Sequence, residues 1–415
     1  MAKRHLPVRP NLSQLKSQAK DLLRDFRERL ADAVEEFREF HPEIQDSGEV
    51  KLADAQLVLA RSYGVRSWPR LVQACRMIDA IHKNDLAAIQ DLITSHPDLL
   101  HEDARGVRGN WGPPMSYAAN LGRDEIIQML ARAGAKDVQH AFDHACLQGQ
   151  VETARWLFEH GASLERGIVM GACETQNAAG LELLLELGAE LCDAEGNQMA
   201  AVAMLLETYC RNPHGKHRCL ELVESQGIDL PETPVMALHR GRVDLIDAFV
   251  RRDPDVLHKT FTYREIYPLE MGCHEDESLG LHGTTIDGTT LLHMCVDFDE
   301  MEIASWLLDN GADANATAQV DAAGYGGHTP LFNAVVSQAN TCGRQQDASM
   351  TKLLLSHGAD PTMRASLRKR LRFVEDESEH FYQDVTPLSY GQAFHEKRWT
   401  SRAAMQLLAE AMDNR

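Results

Sequence analysis

The sequence predicts an all-α solenoid: a stack of helical hairpins with short β-turn fingers, preceded by a helical N-terminal cap. Three observations carry this. A leucine-rich helical stretch ending in Gly-Ala recurs at Gly134, Gly161, Gly188, Gly311 and Gly358. Twelve residues earlier, Gly122 and Gly149 mark a tight turn in two units, and Gln176 and Asp299 take that place in two others. Ahead of the turn lies a small-residue pair, as in Ala118-Ala119, Ala145-Cys146, Ala172-Cys173 and Cys295-Val296, which lets two helices approach closely. Each unit thus reads as helix, turn, helix and glycine stop, the glycine supplying the left-handed residue that closes a helix. Such a unit cannot bury its apolar faces alone and must stack on its neighbours.

The elements follow in chain order. Residues 1–77 form the cap. NLSQLKSQAKDLLRDFRERLADAVEEFREFHP spaces Leu12, Leu15, Ala19, Leu22, Phe26, Leu30, Ala33, Phe37 and Phe40 at three- and four-residue steps, an amphipathic helix or broken hairpin that Pro42 ends. KLADAQLVLARSYG is a second helix closed by Gly64. SWPRLVQACRMIDAI is a third, with Ser67 as N-cap and Pro69 in its first turn. Residues 78–415 divide into about nine units, at roughly 78–110, 111–137, 138–167, 168–196, 197–232, 233–288, 289–327, 328–385 and 386–415. SHPDLLH and RDPDVLH give two units a variant end with Pro in place of the Ala of Gly-Ala, and the fifth unit is the most degenerate.

Four first helices open on related hexapeptides: PPMSYA (Pro113–Ala118), TLLHMC (Thr290–Cys295), TPLFNA (Thr329–Ala334) and TPLSYG (Thr386–Gly391). With these residues the chain resembles the ankyrin-repeat family, whose pattern T-P-L-H-x-A they approach. The block LADAQLVLARSYGVRSWPRL is similar to the helical leader of ankyrin arrays in certain bacterial proteins. The resemblance implies a protein-interaction scaffold that binds through a concave face made of outward first-helix positions and finger tips. On that register the outward positions are Tyr117, Asn120, His144, Met294 and Asn333, and the finger candidates are Trp111, the 271–283 loop and Tyr325. It also implies that His293 is structural, its ring bonding nearby backbone at the start of the helix.

Spacing departs from the family's period of ~33 residues. Gly134, Gly161 and Gly188 lie 27 apart, which leaves almost no room for fingers, whereas Gly311 and Gly358 lie 47 apart. Long insertions at 258–288 and 363–385 follow, and long loops on a repeat array often bind. An enzyme or a small-molecule or metal receptor built by these insertions is the alternative reading. Its metal candidates are Cys273, His274 and His282 in MGCHEDESLGLHG, whose spacing matches no standard zinc pattern. The bland reading of that loop is a solvated acidic finger. His140, His144 and Cys146 lie close on one helix, but their register leaves only His144 outward. RASLRKRLRF is read as a solvated helix with local ion pairs. DAAGYGGHTPLF lacks the Lys-Ser/Thr of a phosphate loop, and no G-x-S-x-G or H-E-x-x-H occurs, so no catalytic residue is assigned.

Composition narrows the function. Net charge is −20, and residues beyond 80 hold 28 Lys and Arg against 50 Asp and Glu, so nucleic acid is a disfavoured partner and a cationic protein a permitted one. A DNA-reading helix-turn-helix in 52–77 is a second alternative, opposed by Trp68 and Pro69 where base-contacting residues would lie. Nine cysteines without a C-x-x-C pair read as free buried thiols. No cofactor, membrane span or signal peptide is expected, and the cytoplasm is the default location.

Overall fold

A computed structural model describes residues 4–42 and 50–413, and nearly every expected helix is in place. The chain divides into two compact units, Met1–Ser163 and Leu164–Arg415.

In the first unit, α1 (Leu12–Arg27), α2 (Ala31–Phe40) and α3 (Leu52–Ser62) gather around buried Leu15, Phe37, Val58 and Leu59. The α1–α2 run breaks at Arg29, whose φ of 61° is left-handed, so the broken hairpin is the form taken. α4 (Trp68–Lys83) begins with the Ser67 hydroxyl accepting from the Arg70 amide. Its Arg70, Leu71, Ala74, Cys75, Met77 and Ile78 are buried against the neighbouring helices. Hairpins then pair α4 with α5 (Leu86–Ser95), α6 (Pro114–Ala119) with α7 (Asp124–Arg132), and α8 (Val138–Leu147) with α9 (Val151–Glu159). Stacking runs through the first helices, α4 on α6 and α6 on α8.

The second unit continues the pattern with α10 (Val169–Glu174) and α11 (Ala178–Glu186), α12 (Gln198–Glu207) and α13 (Pro213–Ser225), and α14 (Pro234–His239) and α15 (Val243–Arg252). An insertion carries β1 (Thr260–Phe261) and the short α16 (Tyr263–Ile266), and β1 pairs antiparallel with β2 (Thr289–Thr290). Then come α17 (Leu291–Phe298) with α18 (Met301–Asp309), and α19 (Pro330–Val335), whose partner α21 (Ser349–Ser356) follows the one-turn α20 (Gln338–Thr341). The hairpin β3 (Ala365–Arg370) and β4 (Glu379–Val385) precedes α22 (Pro387–Ala393) and α23 (Arg402–Asp413). First helices stack again, α14 on α17, α17 on α19 and α19 on α22. Among the described residues the repeats are helical, and the strands lie in the insertions apart from β2 at the start of α17.

The turn positions behave as their spacing predicts. Gln176 and Asp299 adopt φ of 51° and 63°, the left-handed conformation that Gly122 and Gly149 supply elsewhere. A non-glycine residue is strained there, and side-chain bonds offset the strain. Gln176 donates to the Leu205 carbonyl at 3.1 Å and accepts from the Asn212 amide at 2.9 Å; Asp299 pairs with Arg344 at 2.8 Å.

One expected element is corrected. RASLRKRLRF is not a solvated helix but the strand β3, with Leu367 opposite Tyr382 and Lys369 opposite His380 in β4. The reason is period: Ala365, Leu367 and Lys369 are buried while Arg368 and Arg370 are exposed, an alternation that only a strand can bury on one side.

Candidate functional site

The outward face expected of the first helices is covered by the chain itself. In the first unit, Tyr117 is fully buried. The N-terminal segment lies on it: Leu6 is buried, and the Tyr117 hydroxyl donates to the Val8 carbonyl at 3.1 Å. Trp111 is half-buried, its ring 4.8 Å from that of Tyr117. Asn120 is also buried, donating to the Ser116 carbonyl at 3.0 Å and meeting His144 Nδ1 at 3.0 Å. Burial, with the neighbouring His140, pushes the half-buried His144 down to about 4.

In the second unit Met294 and Asn333 are fully buried, not outward. The end of the first insertion crosses α17 and α19: Thr284 donates to the Val336 carbonyl at 2.8 Å, and Tyr390 to Gly283 at 3.4 Å. Tyr117, Asn120, Met294 and Asn333 are therefore buried rather than exposed anchors, with the N-terminal segment bonded to Tyr117.

What locks this insertion is a buried ionic chain. Arg211 meets Asp297 at 3.2 Å, with both side chains almost wholly enclosed. Asp297 lies 2.7 Å from His282 Nδ1, and His282 Nε2 lies 3.0 Å from the Tyr267 hydroxyl. An ionised carboxylate only accepts, so His282 carries its proton on Nδ1 and at Nε2 accepts a hydrogen bond from the Tyr267 hydroxyl. Burial opposes charge on Asp297, but His282 and Arg211 outweigh it and hold the carboxyl below its ordinary range. Burial keeps His282 neutral, its pKa lowered despite Asp297.

This chain engages one of the three metal candidates, and the other two lie apart from it. His282 has both ring nitrogens engaged, Cys273 is buried, and His274 faces outward to pair with Glu207 at 3.0 Å. The three do not converge, and among the described residues no three His, Cys, Asp or Glu side chains are placed to share an ion.

The 271–283 loop is solvated only in part. Its Glu277 carboxylate turns inward to accept from the Ile286 amide at 3.0 Å and from the Thr285 hydroxyl.

Between the two insertions lies a cavity of about 510 Å³, lined by Glu277 and Asp287, by Gln319, Asp321 and Tyr325, and by Lys369 of β3. Tyr325 stands in its wall. Arg368 lies over the Tyr325 ring at 5.3 Å and pairs with Asp321 at 2.7 Å, and Phe381 packs on Tyr325 at 5.7 Å between centroids. Burial lowers the pKa of Lys369 against the pull of Glu277 and Asp297. Of the finger candidates, Tyr325 and the 271–283 loop, through Asp276, Glu277 and Ser278, reach this cavity. Lys369, Phe381 and the Arg211–Asp297 pair were missed, although the period-two alternation in SLRKRLR was a signal for the hairpin that brings Lys369 inward.

One wall of the cavity has a recognisable origin. Residues 287–319 match the family model described as ankyrin repeat. The chain carries an ankyrin repeat. That ankyrin repeat supplies β2, α17 and α18, and with them His293. The His293 ring accepts from the Thr290 hydroxyl at 2.9 Å and donates from Nε2 to the His328 carbonyl at 3.0 Å. Burial first, then His328, pushes it down to about 3, so it stays neutral. Among solved structures, the ankyrin repeat domain of human ASB11 is similar at 17% identity, over 71% of this chain and 97% of that one, with a TM-score of 0.26. No curated protein matches. No helix among the described residues is long and apolar enough to cross a membrane.

Proposed function

We propose that this chain is a non-catalytic interaction scaffold, of the bacterial type with a helical leader, that works in the cytoplasm. It docks a basic segment of a protein partner on the insertion surface of its second unit. The observation that carries this reading is the exposed aromatic patch on the β3–β4 hairpin. Phe381 is 55% exposed and packs on Tyr325, and Val320 beside them is 60% exposed. Exposed aromatics of this kind anchor interfaces. Ankyrin repeats generally serve protein–protein interaction, and a net charge of −20 favours a cationic partner. The covered first-helix faces leave the insertions as the surface offered.

The test is affinity capture from the native cell, followed by titration of the purified, identified partner. The double change Tyr325→Ala with Phe381→Ala should weaken that partner by at least about tenfold, while Trp111→Ala leaves it unchanged. Binding should also weaken as salt rises. Equal affinity of the double variant and wild type refutes the reading.

A further inference from the structure

Lys369 is 6% exposed and lines the cavity; among the described residues no hydrogen bond or ion pair joins its ammonium, and Glu277 and Asp297 attract it only from beyond contact. Buried charges are ordinarily paired, because desolvating one alone is unfavourable. Neighbouring cations in the same wall show the contrast: Arg368 is paired with Asp321, and Arg370 donates to the Glu377 carbonyl at 2.8 Å. Lys369 alone lines the cavity uncommitted. Around the rim stand Asp276, Asp287 and Glu379, all exposed acidic groups. The cavity thus presents a largely buried positive charge below exposed acidic groups. Its volume of about 510 Å³ falls within the range of small-ligand sites.

We propose that this cavity is a ligand site for a zwitterion, taking a carboxylate at Lys369 and a cationic group at the Asp276, Asp287 and Glu379 rim. A simple anion would meet repulsion at the rim, and a simple cation would leave Lys369 unpaired. Only a molecule bearing both charges satisfies the wall. A free basic amino acid and the carboxyl end of a basic peptide share this chemistry.

The cavity shares Tyr325 and Val320 with the aromatic patch, but this reading rests on Lys369 and is tested separately. Purified full chain is titrated calorimetrically with Gly-Gly-Arg as the free acid, with the same peptide as its C-terminal amide, and with free L-arginine. The expected result is saturable binding of a free acid and a loss of at least about tenfold for the amide. Lys369→Met should reproduce that loss, and Lys369→Arg should retain most of the affinity. Whether arginine or the tripeptide binds more tightly tells a free amino acid from a chain end. Lys369→Met should also melt at a higher temperature than wild type, since it removes an unpaired buried charge. Equal binding of acid and amide by the wild type, unchanged affinity in Lys369→Met, or no saturation by either free acid overturns the proposal. The acid–amide comparison needs no variant to fold.

Discussion

Replacing Asp297 with Ala tests whether the buried ionic chain holds the first insertion in place. The change leaves Arg211 enclosed without its carboxylate, and removing one partner of a buried pair costs about 3–5 kcal/mol. Arg211 keeps four carbonyl partners, on Thr208 at 2.7 Å, Cys210 at 3.1 Å, Asp297 at 3.1 Å and Leu281 at 3.2 Å. Those bonds solvate the guanidinium, so the lower end applies, about 3 kcal/mol. At 2–4 °C per kcal/mol for a domain of this size, the melting temperature should fall by roughly 6–12 °C. Circular dichroism melts provide the assay. The double change Arg211→Met with Asp297→Leu, which removes both charges, should recover part of the loss. An Asp297→Ala variant within about 0.5 kcal/mol of wild type would refute the assignment.

Other outcomes follow from the same structure. Burial, ahead of any neighbouring charge, holds His239 and His293 down to about 3 and His328 to about 4. The unfolded chain titrates these histidines near 6.5, so between that pH and the folded values it binds more protons. Stability is then full above about pH 6.5 and falls on acidification by up to about 1.4 kcal/mol per unit for each; melts that coincide at pH 7.5 and 5.0 would contradict this. His293→Ala deletes the bonds to Thr290 and His328 and should cost about 2 kcal/mol by urea unfolding. Gly326 holds φ at +123°, and an added Cβ would stand 2.0 Å from the Gln319 carbonyl oxygen. Gly326→Ala should therefore cost at least about 2 kcal/mol and disturb the cavity wall; a wild-type melting curve would show the loop to be adaptable.

The repeats were legible because their rules are local. Glycine stops, small-residue pairs and the left-handed turn at Gln176 and Asp299 depend on residues close in sequence. Cap and helix boundaries such as Ser67–Pro69 follow from the same short-range chemistry. The site was far less legible. Met294 and Asn333 carry the register of outward positions, yet both are fully buried, and burial is a property of packing that register alone does not fix. Lys369 read as one more member of a basic run, since an ammonium's missing partner is a property of three-dimensional surroundings. His282 looked like a metal ligand until Asp297 and Tyr267 came to either side of its ring.

The strap across Tyr117 has an evolutionary consequence. A face answerable to Leu6 and Val8 drifts only when both sides of an internal contact change together, so it is poorly suited to acquiring new specificity. The hairpin bearing Phe381 is tied to Tyr325 and Asp321, yet its Phe381 side chain stays more than half exposed. Lineages carrying this architecture should therefore diversify by exchanging hairpins and loops while the helices beneath stay much the same.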